Sequence, residues 1–357
     1  MNTMIHTLIA APHAHGGNSV TRTMLQVQAA LVPATLFSFW LFGWPAFFVW
    51  LTCIAACLAC EALCLRLAGR PVRPALADGS AALTGWLLAL SLPPWSPWWV
   101  PVVGAAIAII VAKQVFGGLG QNVFNPAMVA RVALLVSFPL PLTQWVAPLV
   151  AAPGFADSLW IFLTGAPLPD AMASASLLGH GKTELARGVD LARAFAASGA
   201  PTLSWTGVRA GSLGESASLL LMLGGMYLLA VRVIRWPIPL AVLAGLALPA
   251  AIAHAVDPAR YLDATTHLLS GAAVLGAFFI ATDYVTSPNT TAGQLLFGAG
   301  IGLTTWVIRT WGGYPEGMAF AVLLLNALTP AIDRLCKPRI LGRDRRGKVL
   351  AVQGEQP

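Results

Sequence analysis

Apolar stretches long enough to cross a bilayer recur along the chain, broken by short turn-rich segments. They predict helical spans near 23–42, 44–66, 76–93, 96–115 and 126–140, then near 215–232, 237–255, 264–282, 291–309 and 317–335. Between the two groups, residues 141–214 mix Gly, Pro and Ser with eight charged residues. The expected fold class is an all-α polytopic membrane protein of about ten transmembrane helices. The expected divisions are a tail at 1–22, a first five-helix repeat at 23–140, a connection at 141–214, a second five-helix repeat at 215–335 and a basic tail at 336–357.

The two groups resemble each other. Asp78-Gly79-Ser80-Ala81-Ala82-Leu83-Thr84-Gly85 can be set beside Leu269-Ser270-Gly271-Ala272-Ala273-Val274-Leu275-Gly276. Phe116-Gly117-Gly118, followed by Pro126-Ala127-Met128, matches Trp311-Gly312-Gly313, followed by Gly317-Met318-Ala319. Gly79 and Gly117 are 38 residues apart and Gly271 and Gly312 are 41 apart, so only small gaps are needed. Five crossings per half is an odd number, so the second copy must enter the membrane upside down. Inverted repeats of this kind place function where Gly-rich or broken helices free backbone groups.

Composition agrees with a membrane chain: 57% of the 357 residues are hydrophobic and 10% are charged, against roughly 25% charged in soluble domains. The formal charge of +7 does not indicate a nucleic-acid partner, because seven of the 21 basic residues lie after Asp333, in a tail that reads as a cytoplasmic topology signal. With both termini cytoplasmic, Arg66, Arg70, Arg73, Lys113, Arg232 and Arg235 face inward and only Arg260 and Arg309 oppose the assignment. The connection then falls on the outer side. The first 20 residues show no apolar run and no small-residue cleavage site, so insertion is expected to depend on the first spans.

Four of the five cysteines, Cys53, Cys57, Cys60 and Cys64, share one helix face, spread over roughly 16 Å at 1.5 Å per residue. That is too far for one tetrahedral metal site within a single chain, and small residues at a helix contact are the expected role, with a redox pair of near neighbours as the alternative. Gly117-Gly118-Leu119-Gly120-Gln121-Asn122-Val123-Phe124-Asn125-Pro126 joins flexible backbone to three side-chain amides beside a span. It lacks the Gly-Lys-Ser/Thr of a phosphate-binding loop. Two readings stand: Gly117, Gly118, Gly120, Asn122 and Asn125 line a flavin or ion path, or the segment is a tight turn with Asn125 capping a helix that opens at Pro126. Glu61, Asp78, Lys113, Asp283, Arg309 and Glu316 need partners or a pathway, since ionisable groups are costly in lipid. Asp283 and Glu316 are the stronger ion-path candidates. His254 and His267 match no metal-ligand spacing and read as structural; His6, His13 and His15 read as tail residues.

These motifs carry a family resemblance over nearly the whole chain. Asp78-Gly79-Ser80-Ala81, Lys113-Gln114-Val115-Phe116-Gly117-Gly118-Leu119-Gly120-Gln121-Asn122, Phe124-Asn125-Pro126-Ala127-Met128, Gly211-Ser212-Leu213-Gly214-Glu215, Gly276-Ala277-Phe278-Phe279-Ile280-Ala281-Thr282-Asp283 and Gly312-Gly313-Tyr314-Pro315-Glu316-Gly317 together resemble the D subunits of Rnf electron-transport complexes, related to the B subunit of the sodium-translocating NADH:quinone reductase. The resemblance implies a flavin-carrying electron-transfer subunit of the bacterial inner membrane, in a complex coupling ferredoxin and NAD redox chemistry to Na⁺ or H⁺ movement. It also implies iron-sulfur and flavin partner subunits, because this chain shows neither a dinucleotide fingerprint nor cluster-binding cysteine spacing.

Members of that family carry FMN esterified through its phosphate to a threonine in a pattern like Asp-x-x-Ser-x-Ala-Thr. The matching stretch here is Asp170-Ala171-Met172-Ala173-Ser174-Ala175-Ser176. Serine replaces threonine, and Ser176 keeps the hydroxyl oxygen that a phosphoester requires; Ala173 stands where the pattern has a hydroxyl residue. The resemblance therefore implies covalent FMN at Ser176 and allows a second, noncovalent flavin such as riboflavin. An ordinary polar loop is the alternative for this stretch, and a small-solute or ion channel or transporter is the alternative for the chain.

Overall fold

The structure, a computed structural model, describes residues 19–149, 153–165, 173–197 and 208–338. Residues 1–18, 170–172 and the tail from 339 onward, on which several sequence expectations fall, lie outside this set. The first half runs through α1 (Val20–Phe42), α2 (Trp44–Leu67), a short α3 (Val72–Leu76), α4 (Ser80–Ser91), α5 (Trp99–Ala106) continuing as a π-helix over Ile107–Gln114, and α6 (Pro126–Ser137). The connection carries α7 (Pro139–Thr143), β1 (Trp145–Val146), α8 (Phe155–Thr164), β2 (Ala173–Ser174), α9 (Leu177–Ala186) and α10 (Leu191–Ala196). A 3₁₀ turn at Glu215–Ala217 leads into the second half: α11 (Ser218–Ala230), α12 (Pro237–Val256), α13 (Ala264–Leu269), α14 (Ala273–Leu275) continuing as a π-helix over Gly276–Ile280, α15 (Thr291–Trp311) and α16 (Met318–Leu335).

The chain is a polytopic membrane protein, but its helices are less uniform than the hydropathy pattern predicts. Among the described residues five helices, α1, α2, α12, α15 and α16, are long and apolar enough to cross a membrane. The expected span at 76–93 has its main helix over Ser80–Ser91 only, and that at 126–140 is interrupted at Phe138, between α6 and α7. The expected span at 264–282 is not one helix at all: it breaks at residues 270–272, between α13 and α14. Hydropathy registers apolar content and is blind to φ, and the breaks come from backbone conformation. Gly79, ahead of α4, has φ +79° and Gly271, ahead of α14, has φ +63°, a left-handed region that side chains other than glycine's enter at a cost. Gly79 and Gly271, offset by one position when the halves are set side by side, thus do the same local work.

Elsewhere apolar faces pack as the sequence suggests. Cys53 and Cys57 are fully buried on α2, where a Cβ at Gly85 of α4 would come within 2.7 Å of the Cys53 carbonyl oxygen. Small side chains let the two helices touch, and all five cysteines are free thiols. One core runs through both halves, joining Leu88, Met128 and Leu134 to Leu221, Val274 and Met318.

The connection is not merely polar, since α8 is an apolar helix. Nor is it loose. β1 pairs antiparallel with β2, Trp145 opposite Ser174. The amide of Leu149 donates to Leu41, Trp98 to Phe162, Leu213 to Leu92 and Gly214 to Leu90. These are the ends of α1, α4 and the start of α5, all on one side if each helix crosses in turn.

Candidate functional site

The side on which the connection lies holds Ser176. Its backbone is extended (φ −67°, ψ 152°) immediately before α9, and its Oγ accepts the Gly179 N–H at 3.2 Å, an N-cap. The residue is 8% exposed. Upstream, pairing of Ala173 and Ser174 with β1 fixes the approach of the chain. Downstream, Leu177 and Leu178 are buried, and Lys182 Nζ donates to the carbonyls of Ile308, Arg309 and Tyr314 at 3.1–3.3 Å, seating α9 on the end of α15. Burial lowers the Lys182 ammonium below its ordinary range. The first N–H groups of a helix attract anions, so a phosphoryl group on this oxygen meets donors already aligned. Beside α9 a cavity of about 490 Å³ opens among Leu177, Leu191, Phe195, His254, Tyr261 and Asp263, within the size range of ligand sites. The residues present fit a covalently held flavin: an oxygen at a helix N-terminus and an adjacent apolar recess.

A second pocket lies between the halves at the opposite end of the bundle. It measures about 140 Å³ and brings together Asn122, Asn125, Ser80, Lys113, Phe279 and Asp283. Both π-helices reach it, through Lys113 and through Phe278 and Phe279, and π-helices recur at functional sites. Asn125 caps α6 by accepting the Met128 N–H at 3.2 Å, with Pro126 at the first helical position. The capping and lining roles thus coincide in one residue. Gly117, Gly118 and Gly120 do not line the pocket; they form the turn after the π-helix, with φ of +117°, +100° and +84°, and Arg70 donates to the Gly117 carbonyl at 3.1 Å. Asp283 stands at the rim and accepts the Val285 N–H at 3.2 Å; burial raises its carboxyl above the ordinary range.

Glu316 is far from Asp283, with the 21-residue α15 between them, roughly 30 Å of helix. Both Glu316 oxygens are engaged: Oε2 accepts from Arg309 Nη2 at 2.8 Å and the Ala272 N–H at 3.0 Å, and Oε1 accepts from the Gly317 and Met318 amides at 2.9 Å. Arg309 also donates to the carbonyls of His267 and Ser270. The pair clamps the Gly271 break. The first half has a counterpart near its own break: buried Lys113 donates to both Glu61 oxygens at 2.8 and 2.9 Å and to Ser80 Oγ at 2.7 Å. His254 is held through a 2.7 Å contact between Nδ1 and the Tyr261 carbonyl, and Asp78 caps the Ser80 N–H at 2.7 Å.

A third group escaped the sequence reading. Arg209 donates to Ser218 Oγ and the Glu215 carbonyl, Ser212 donates to Glu215 at 2.9 Å, and Glu215 and Glu316 lie within electrostatic reach of Arg131. Burial brings the Arg209 guanidinium down to about 10. The charges are visible in the sequence, but the three chain segments that carry them are not visibly adjacent.

A family model described as the NQR2, RnfD, RnfE family matches residues 7–342. The chain belongs to this family. A protein of Halorhodospira halophila, described as the D subunit of an ion-translocating oxidoreductase complex, is 50% identical over 354 residues, 98% of this chain and 99% of the relative. Proteins of the same description from Stutzerimonas stutzeri and Rhodobacter capsulatus are 51% identical over 339 residues and 49% over 311. The first of these covers 94% of this chain and 96% of the relative, the second 85% and 86%. For this NQR2, RnfD, RnfE family member the expected resemblance therefore holds across nearly its full length.

Proposed function

We propose that this chain is the D subunit of an Rnf-type ion-translocating oxidoreductase complex and carries FMN as a phosphoester on Ser176. The observation that carries the reading is Ser176 Oγ at the N-terminus of α9, on a connection hydrogen-bonded to the ends of the membrane helices. Bound there, the flavin supplies one- and two-electron redox chemistry. The chain's part is to hold and insulate: the α9 amides neutralise phosphate charge, Leu177 and Phe195 supply apolar surface, and Lys182 fastens α9 to α15.

The pocket between the halves is the proposed seat of a second, noncovalent flavin, with the Asn122 and Asn125 amides as polar partners. Asp283 at its rim is the proposed cation ligand. Glu316, with four hydrogen bonds, is a clamp in this reading rather than a station on the ion path. Partner subunits of the complex supply the nucleotide and iron-sulfur chemistry, and the connection lies on the outer face of a bacterial inner membrane with both termini cytoplasmic.

The test is a denaturing gel of the protein purified from cells that make the whole complex. An acid-washed band that fluoresces as flavin, and is dark in Ser176→Ala, is the expected result. A dark wild-type band removes the covalent flavin while leaving the family membership untouched.

A further inference from the structure

Arg260 and Arg309, the two basic residues that oppose the positive-inside pattern, meet at one small cavity that the flavin reading does not use. It measures about 40 Å³, enough for a small ion or a few waters, and lies where Leu178 and Lys182 of α9 face the ends of α13 and α15. Its lining includes Lys182, Arg260, His267 and Arg309 and contains no Asp or Glu.

The nitrogen donors here exceed the acceptors. Arg309 and His267 are 6% and 4% exposed, yet Arg309 Nε and His267 Nδ1 have no hydrogen-bond partner. Lys182 Nζ is bonded to three carbonyls and to no carboxylate. Arg260 forms no ion pair among the described residues. The protein behind the cavity does not compensate. Arg131, Arg209 and Arg309 share two carboxylates, Glu215 and Glu316, and Arg131 Nη1 and both Nε and Nη1 of Arg209 are also buried without partners. Buried charges are otherwise paired and buried N–H groups otherwise bonded. An excess of both, around a small cavity, calls for an anion with several acceptor oxygens.

We propose that this cavity binds a phosphate-class oxyanion, held by hydrogen bonds from Arg260, Arg309 and His267 and by the nearby charge of Lys182, whose three N–H donors stay on the carbonyls. Two sources share that chemistry. Lipid headgroups lie at the depth of the helix ends, and Leu178, two residues beyond Ser176, lines the cavity, so a phosphodiester on Ser176 is also near. The site itself does not depend on Ser176 carrying a flavin.

The experiment uses full-length Ser176→Ala protein in a maltoside detergent, which brings no phosphate of its own, and follows thermal unfolding with inorganic phosphate or chloride at equal ionic strength. Phosphate raises the midpoint beyond the effect of chloride; Arg260→Gln needs roughly tenfold more phosphate for the same shift, as expected for loss of one charge-assisted hydrogen bond, and Lys182→Gln, which removes a neighbouring charge, also needs more. Arg260 is exposed, so its variant reports even where Lys182→Gln fails to fold. Phosphatidylglycerol, compared with a phosphate-free glycolipid, replaces the phosphate effect if the headgroup is the occupant. Flavin-loaded protein with Ser176 intact shows no further shift if the flavin phosphate is. Chloride matching phosphate in the parent, or an undiminished phosphate shift in Arg260→Gln, overturns the proposal.

Discussion

Glu61→Ala should be among the most damaging single changes in the first half. Lys113 is 2% exposed, and its ammonium makes three hydrogen bonds, two of them to Glu61. Without Glu61 the charge keeps only Ser80 Oγ and loses its compensating anion, while Gln114 Nε2, 2.9 Å from Glu61 Oε1, loses its acceptor as well. Breaking a buried pair in this way costs about 3–5 kcal/mol, roughly a hundredfold or more in the folding equilibrium. Removing both charges, in Glu61→Leu with Lys113→Met, should recover most of that loss, because the desolvation penalty disappears with the charges. With the partly exposed Cys60, Cys64 and Cys336 changed to serine, the buried thiols of Cys53 and Cys57 provide the assay, since a thiol-reactive fluorophore then reports their exposure as the purified protein is heated. A Glu61→Ala protein that melts with the wild type, or a double variant no better than the single one, would show that the pair does not anchor the start of α4.

Gly271→Ala should prevent accumulation of folded protein: φ is +63°, and the new methyl would overlap Glu316 Oε2 and Arg309 Nη2. Gly69→Ala, at φ +66° with open space around it, isolates the backbone strain and should cost about 1–2 kcal/mol; equal yields of the two variants would contradict the clamp. Asp263 caps α13, and although burial pushes its carboxyl upward, hydrogen bonds from Thr266 and Thr265 prevail and hold it below the ordinary range. A depressed folded value means stability that is present above the unfolded pKa and lost as pH falls through the folded one. The melting gap between wild type and Asp263→Ala should therefore be full near neutrality and shrink below about pH 4; a gap independent of pH would remove the carboxylate from the cap. Asn122→Leu should abolish flavin released on denaturation while leaving acid-resistant flavin in place, and an unchanged release would empty the pocket between the halves of its proposed occupant.

Much of the fold was legible because lipid imposes a simple length and composition on its crossing helices, and α1, α2, α12, α15 and α16 fall close to the expected limits. The cap at Asn125 was legible for a local reason: Asn followed by Pro fixes a helix start with no help from distant residues. What escaped was non-local. Glu61 and Lys113 both stood out as charges needing partners, yet nothing in a separation of 52 residues says they meet. Glu316 reads as an ion-path candidate because it lies beside glycines; that its carboxylate also accepts the Ala272 amide from across the break was not visible. The interrupted eighth span was hidden because Ser270, Gly271 and Ala272 are small and apolar enough to pass for helix, and only the positive φ of Gly271 reveals the turn.

The decisive measurement is mass spectrometry of the peptide spanning Ser176, taken from protein made together with the rest of its complex. The expected peptide carries the mass of FMN less one water, with fragmentation placing the group on Ser176 rather than Ser174. An unmodified peptide, or a group resident on another hydroxyl, would contradict Ser176 as the flavin anchor.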